Sequence, residues 1–270
     1  MQLHQALPIL RDIIGDNVQV RRVPSGLTNA VYRLTTPESS WALRINNPQG
    51  HRLGINRQRE LDILAHVKGQ PWAPVVAWAS HQLLLTEWHS GADFHPSTAD
   101  SLETLCALIE TIHGLTDAHL LDQPALLVPD QIQLLLAQGG AVDPLFQAQV
   151  LAECERYQAP DRLVLCHHDW HAGNLIQQPS QQLVLLDWEY AAPGDARLDL
   201  ACLLSGFKLS VTQRQQVLER FQLEPDTLLT AQCLADAMSL LWYRVRCPTR
   251  PYLAEQHQWR VRWQAHLDTR

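Results

Sequence analysis

The sequence predicts an α+β fold in two lobes, a small β-rich N-lobe and a larger, mainly α-helical C-lobe. Three observations predict it. Short runs with strand-like alternation fill the first 90 residues. After residue 98 apolar residues recur at helical spacing. A polar stretch, HSGADFHPS, separates the two patterns. At 270 residues the chain can bury a sizeable core in each part. The expected organisation is 1–86 for the N-terminal lobe, 87–92 for the linker and 93–270 for the C-terminal lobe.

The elements follow in order. MQLHQALPILRDIIGD reads as a short amphipathic helix and lacks the layout of a signal peptide. VQVRRV (18–23), AVYRL (30–34) and WALRI (41–45) read as strands broken by PSGLTN and TPESS. INRQRELDILAHV (55–67) places Ile55, Leu61, Leu64 and Val67 on one helical stripe. PVVAWAS and QLLLTEW add two short strands. In the C-lobe, Leu102, Leu105, Leu108, Ile109 and Ile112 mark a buried helical face. Helices are expected over 130–138, 143–158, 198–208, 212–222, 228–246 and 252–267. Two apolar runs of strand length, LVLC (163–166) and LVLL (183–186), interrupt this helical region with one embedded hairpin.

Composition narrows the function. The net charge of −7 argues against a general nucleic-acid binder. No run approaches the roughly 18 apolar residues of a membrane span. Six scattered cysteines without a CxxC read as free thiols in a reducing compartment, so a cytoplasmic location is expected. Neither a nucleic-acid nor a membrane partner is expected, and a monomer or a homodimer is.

The stretch LCHHDWHAGNL (165–175) carries the chemistry. His167, His168, Asp169 and His171 are all possible zinc ligands. A zinc reading needs His167 and His171 on one helix face, as in HExxH. The preceding LVLC reads as a strand and Gly173 interrupts any helix. The spacing His167-x-Asp169-xxxx-Asn174 instead reproduces the H-x-D-x-x-x-x-N catalytic loop of kinases. Asp187 stands 13 residues after Asn174, at the end of LVLL. Phosphoryl transfer needs one carboxylate to accept the proton of the attacking hydroxyl. It also needs hard oxygen ligands to hold Mg²⁺ against the phosphates. Asp169, Asn174 and Asp187 supply those groups.

HHDWHAGNLI followed by LVLLDWEYAAPGDARLDLA resembles the aminoglycoside phosphotransferase and choline kinase family. The pattern is most similar to bacterial thiamine kinase and choline/ethanolamine kinase members. The resemblance implies a bilobal protein-kinase-like fold, an ATP site between the lobes and phosphorylation of a small-molecule alcohol. It makes Asp169 the catalytic base, supported by His167, and Asn174 and Asp187 the Mg²⁺ ligands. His171 would be structural or near the substrate. SGLTNAVYRL (25–34) would fold over the ATP phosphates through Ser25, Gly26, Thr28 and Asn29. The G-x-G-x-x-G of protein kinases is absent there. Arg44 takes the place of the protein-kinase lysine, with Glu60 its partner and Arg57 and Arg59 neighbours. Residues 87–92 become the hinge, where Glu87, Trp88 and His89 meet adenine through the backbone.

Glu189 replaces the glycine of D-F-G and would assist the metal or face a cationic substrate. Asp199 has two readings, a brace for the catalytic loop or an ordinary first-turn acid. Trp242, Tyr243, Trp259 and Trp263 would border the acceptor, where aromatic faces suit the cations of thiamine or choline. Core packing is the alternative for each. Arg244, Arg246, Arg250, Arg260 and Arg262 argue against a cation cage there. Thiamine is the first choice of acceptor, then choline or ethanolamine, then an aminoglycoside or amino sugar. The competing classes are a non-catalytic nucleotide-binding pseudokinase and a zinc hydrolase. A protein kinase is disfavoured by the missing A-P-E segment.

Overall fold

Strand parity sorts the residues of the N-terminal sheet onto two faces. The computed structural model describes residues 1–24, 26–139, 142–248 and 254–268. The chain begins with α1 (Leu3–Ile14), then β1 (Gln19–Val23), β2 (Ala30–Thr35) and β3 (Ser40–Ile45). α2 (Arg57–His66), β4 (Val76–Ala79) and β5 (Leu83–Glu87) complete an antiparallel sheet of order β1-β2-β3-β5-β4. Leu43 stands opposite Tyr32 and Leu85, and Ile45 opposite Ala30 and Leu83. These side chains share one face, because side chains alternate along a strand. There Leu34, Leu43, Ile45, Leu83 and Leu85 bury against Ala6, Leu10 and Ile14 of α1. The one-residue offset puts Arg44, paired with Val31 and Leu84, on the opposite face. Asn56 caps α2, its side chain accepting from the Arg59 amide at 3.1 Å.

A second, three-stranded sheet has the order β6-β8-β9, from β6 (Ala92–Asp93), β8 (Leu175–Gln177) and β9 (Leu183–Leu185). It packs with the first: the Leu185 amide donates to the Trp72 carbonyl at 2.8 Å, and the Trp72 and Trp188 rings stack at 5.6 Å. Gly91 is required beside it, since a Cβ there would lie 2.2 Å from the Gln177 carbonyl oxygen. By its contacts, one compact unit comprises Met1–His51, Ile55–Phe94 and Gly173–Glu189.

The other compact unit comprises Arg52–Gly54, His95–Ala172 and Tyr190–Arg270. Its helices are α3 (Ala99–His113), α4 (Ala118–Leu121), α5 (Val128–Gln138) and α6 (Pro144–Arg156). They continue with α7 (Ala196–Gly206), α8 (Val211–Arg220), α9 (Pro225–Arg246) and α10 (Ala254–Asp268). α9 is the central helix, packing on α5, α6, α7 and α10. A strand pair, β7 (Val164–Cys166) with β10 (Ala192–Gly194), lies against α3, α4 and α7.

The apolar runs LVLC and LVLL do not pair with each other: β7 pairs with β10, and β9 with β8. Three-residue strands carry too little periodicity to announce their partners. None of the six cysteines forms a disulfide. Among the described residues no helix is long and apolar enough to cross a membrane.

Candidate active site

The loop after β7 is held from below by one buried carboxylate. Asp199, in the first turn of α7, is fully buried. Its Oδ1 accepts from the His168 amide at 2.6 Å. Its Oδ2 accepts from the His167 amide at 3.1 Å and pairs with His113 Nε2 at 2.9 Å. Burial opposes ionisation, yet the hydrogen bond and charge of His113 hold this carboxyl well below the usual carboxylate range. Of its two readings, the brace is therefore the one the structure shows.

His168 adopts a left-handed backbone with φ 64°. Gly194 of β10 leaves room for its ring, since a Cβ there would meet His168 Nε2 at 2.5 Å. His167 is buried, and its ring sits 5.6 Å from that of buried Trp170. Asp169 is partly exposed, with His171 Nε2 at 3.7 Å from its Oδ2. The segment from 167 to 171 is not helical, so no helix face carries His167 and His171 together. Among the described residues the one potential metal-ligand cluster is His113, Cys166 and Asp199, which contains none of the four residues considered for zinc.

Asn174 and Asp187 sit at one end of the β8–β9 hairpin. Leu175 pairs with Leu185, and the Leu186 amide donates to the Asn174 carbonyl at 2.7 Å. The hairpin register thus makes neighbours of two residues 13 apart in the chain. Asn174 is buried, while the Asp187 side chain keeps 37% exposure. Asp187 also has a left-handed backbone, φ 57°.

Arg44 reaches Asp187 from β3, NH1 to Oδ1 at 2.8 Å. The same guanidinium donates to Glu60 at 2.5 Å and to the Asn46 side chain at 2.9 Å. Arg57, one turn before Glu60 on α2, pairs with Glu60 at 2.7 Å and with Glu189 at 2.9 Å. Asn29 donates to Glu189 at 2.7 Å. Against the cost of burial, Arg44 and Arg57 lower the Glu60 pKa. Glu189 moves the other way. Burial first, and then repulsion from Asp187, push it up to about 7 despite both arginines.

Other candidate positions fall as follows. Ser25 lies outside the described residues. Gly26 has φ 82°, a turn that favours glycine, and Thr28 is half-buried. The Glu87 amide donates to the Val75 carbonyl and the Trp88 amide to the Ser40 carbonyl, both at 2.9 Å. Both of those backbone donors are thus already engaged within the fold. His89 accepts from the Val75 amide at 3.4 Å and meets Gln178 at 3.3 Å. The Arg33 guanidinium stacks over the Trp88 ring at 4.7 Å.

In the helical unit, Trp242 donates to the Tyr190 hydroxyl at 2.6 Å and meets Tyr243 edge-on at 5.0 Å. Trp263 is buried against Phe146 and packs in the core. The Trp259 side chain and Arg250 lie outside the described residues. Arg262 grips buried Asp236, at 2.7 and 2.5 Å. Sequence reasoning passed over Arg57, Asn46, His113 and Tyr190 as participants. Only Arg57 carried a signal, its i,i+3 spacing to Glu60 on a helix.

Comparison with known proteins follows this geometry. A choline kinase, LicA from Streptococcus pneumoniae, superposes with a TM-score of 0.82 at 17% identity, over 98% of this chain and 97% of that one. An ethanolamine kinase from Plasmodium vivax gives a TM-score of 0.74 at 14% identity, over 96% and 85%. These likenesses show a protein-kinase-like fold. A thiamine kinase of Escherichia coli is 50% identical over 48 residues, 18% of this chain and 17% of that protein's length. The model of the phosphotransferase enzyme family matches residues 19–230, the whole five-stranded sheet and most of the helical unit, and the chain belongs to that family.

Proposed function

We propose that the chain transfers the γ-phosphoryl group of ATP to the hydroxyl of a small cationic alcohol. Thiamine is the first candidate, and choline or ethanolamine the next. The observation that carries the transfer is the hairpin end at Asn174 and Asp187. The 2.7 Å bond from the Leu186 amide to the Asn174 carbonyl brings the backbone at Asn174 beside the strand end that carries Asp187, and Arg44 pairs with Asp187. The Asn174 and Asp187 side chains offer hard oxygens, the donor type Mg²⁺ prefers. They fit that ion, which when bound would neutralise charge on the phosphates. Arg44, held by Glu60, supplies fixed positive charge for phosphate oxygens. Asp169, on the loop braced by Asp199, accepts the proton of the acceptor hydroxyl.

The acceptor class is supported by two things. One is the local match to thiamine kinase, 50% identical over 48 residues. The Trp242–Tyr190 pair in the helical unit presents aromatic faces of the kind that hold thiazolium or quaternary ammonium. The test is ADP release from Mg-ATP by purified protein with thiamine, choline, ethanolamine, N-acetylated amino sugars and kanamycin in parallel. One acceptor should stimulate release, and Asp169→Asn should remove the stimulation. Silence across the panel with ATP still raising Tm would point to a non-catalytic binder. Wild-type turnover in Asp169→Asn would overturn the base assignment.

A further inference from the structure

Asn29 lies in the turn between β1 and β2, and its side-chain amide is engaged on both sides. Nδ2 donates to Glu189 Oε2 at 2.7 Å. Oδ1 accepts from Arg57 NH2 at 3.0 Å and from the Asn47 amide at 3.1 Å. Arg57 closes the ring: NH2 also contacts Glu189 Oε2 at 2.9 Å, and NH1 donates to Glu60 Oε2 at 2.7 Å. Glu60 in turn holds Arg44 at 2.5 Å. The Arg57 and Glu189 side chains keep only 12% and 4% exposure, so these charge-assisted bonds are shielded from water. Asp187, at 37% side-chain exposure, is the more accessible of the two carboxylates in the D-W-E segment.

We infer that Arg57 is a positioning residue: with Glu189 it clamps Asn29, tying the turn after β1 to the D-W-E segment, and Glu189 acts through Asn29 rather than as a metal ligand. The inference rests on the nucleotide reading given above, which places this turn over the phosphates. The physical reason is entropic. A turn already pinned by charged partners loses little freedom when a nucleotide arrives, whereas a released turn must be ordered at that moment. Lysine at position 57 keeps the charge but lacks the fork that serves Glu60, Glu189 and Asn29 at once.

Two measurements on the full chain test this. The first is hydrogen exchange of the peptide spanning 26–35 without nucleotide. Exchange should be about tenfold faster in Arg57→Gln and in Asn29→Ala, and intermediate in Arg57→Lys. Unchanged exchange overturns the clamp, whatever the protein binds. The second is calorimetric titration with ADP across a Mg²⁺ series. Arg57→Gln and Asn29→Ala should each weaken Mg-ADP by roughly tenfold, and the double variant should be little worse than either, as for two parts of one device. Glu189→Gln should leave the Mg²⁺ concentration for half-maximal affinity in place, while Asp187→Asn raises it. Additive losses, or a Glu189→Gln shift equal to that of Asp187→Asn, overturn the assignment. A wild-type chain that fails to bind Mg-ADP would sink the nucleotide reading and leave the clamp to be decided by exchange alone. Arg57→Lys serves where the glutamine variant fails to fold, as judged by its melting curve.

Discussion

Asp199→Asn should destabilise the protein by an amount that separates a brace from a helix-end charge. The carboxylate accepts from the His168 amide at 2.6 Å and the His167 amide at 3.1 Å, and pairs with His113 Nε2 at 2.9 Å. Asparagine is nearly isosteric but has one acceptor oxygen. In its better orientation the oxygen keeps His167 and His113, and the NH₂ faces the His168 amide. One buried donor without an acceptor costs about 1–3 kcal/mol. Loss of charge assistance on the two remaining bonds costs about 1 kcal/mol each. Relief of the burial cost of a charge offsets part of this, leaving a net loss of about 2–4 kcal/mol. At about 2–4 °C per kcal/mol for chains approaching this size, Tm should fall by roughly 4–16 °C. An acid that only complements the helix dipole would cost about 0.3–1 kcal/mol, or a few degrees at most. Scanning calorimetry at pH 7.5 decides between them, with Asp12→Asn on the exposed face of α1 as control. A fall no larger than the control's refutes the brace. The pH dependence has a definite sign. The folded carboxyl is depressed, so its stabilisation is fully present above the unfolded value near ~3.9 and is lost as pH falls toward the folded one. The gap between wild type and Asp199→Asn should therefore close only in acid.

Three further outcomes are expected. Gly206→Ala places a Cβ 2.0 Å from the Trp170 carbonyl, so α7 must move from the loop. Melting should show a loss of at least about 2 kcal/mol with a fall in turnover. Arg44→Lys cannot serve Glu60, Asp187 and Asn46 together. Calorimetry should show Mg-ADP binding weakened about tenfold, some 1.4 kcal/mol, and an unchanged affinity would remove Arg44 from the phosphate site. Trp242→Phe keeps an aromatic face but loses the 2.6 Å bond to Tyr190. Steady-state kinetics should show acceptor KM raised severalfold with nucleotide KM unmoved; equal effects on both would argue for a packing role.

Much of the fold was legible because its periods are long enough to read. The strands expected over 18–23, 30–34 and 41–45 are β1, β2 and β3 within a residue or two. α2 ends one residue short of its expected stripe, where Val67 forms the cap. β6 and β10 were not legible. Ala92–Asp93 is two residues long, and Ala192–Gly194 contains a proline and a glycine, so neither shows alternation. In the candidate site, the H-x-D-x-x-x-x-N spacing made candidates of Asp169 and Asn174, and the nearness of Asn174 to Asp187 follows from the short hairpin that joins them. The partners of Arg44 are a different case. Glu60 is 16 residues away and Asp187 is 143, and the second contact exists only through packing of the β8–β9 hairpin with the sheet. Asn29 and Glu189 are 160 apart, and no local pattern relates them.

Two of the four described non-glycine residues with positive φ are informative about what the fold protects. Among the described non-glycine residues with positive φ, His168 and Asp187 each follow closely on a short buried strand, β7 or β9. A non-glycine residue in the left-handed region costs about 1–2 kcal/mol. At His168 the backbone amide gains a 2.6 Å bond to a buried carboxylate, which is of the same order. At Asp187 the side chain gains the Arg44 guanidinium at 2.8 Å. Each strained residue is thus tied to a charged partner fixed elsewhere, Asp199 on α7 and Arg44 on β3. Removing the partner should release the strain along with the bond. Glycine at 168 should then restore part of the stability lost in Asp199→Asn, since it relieves the backbone without replacing the acceptor. If His168→Gly gave the same loss in both backgrounds, the left-handed turn would not be held by Asp199, and the loop geometry would have to come from Gly194 and the β7–β10 pairing alone.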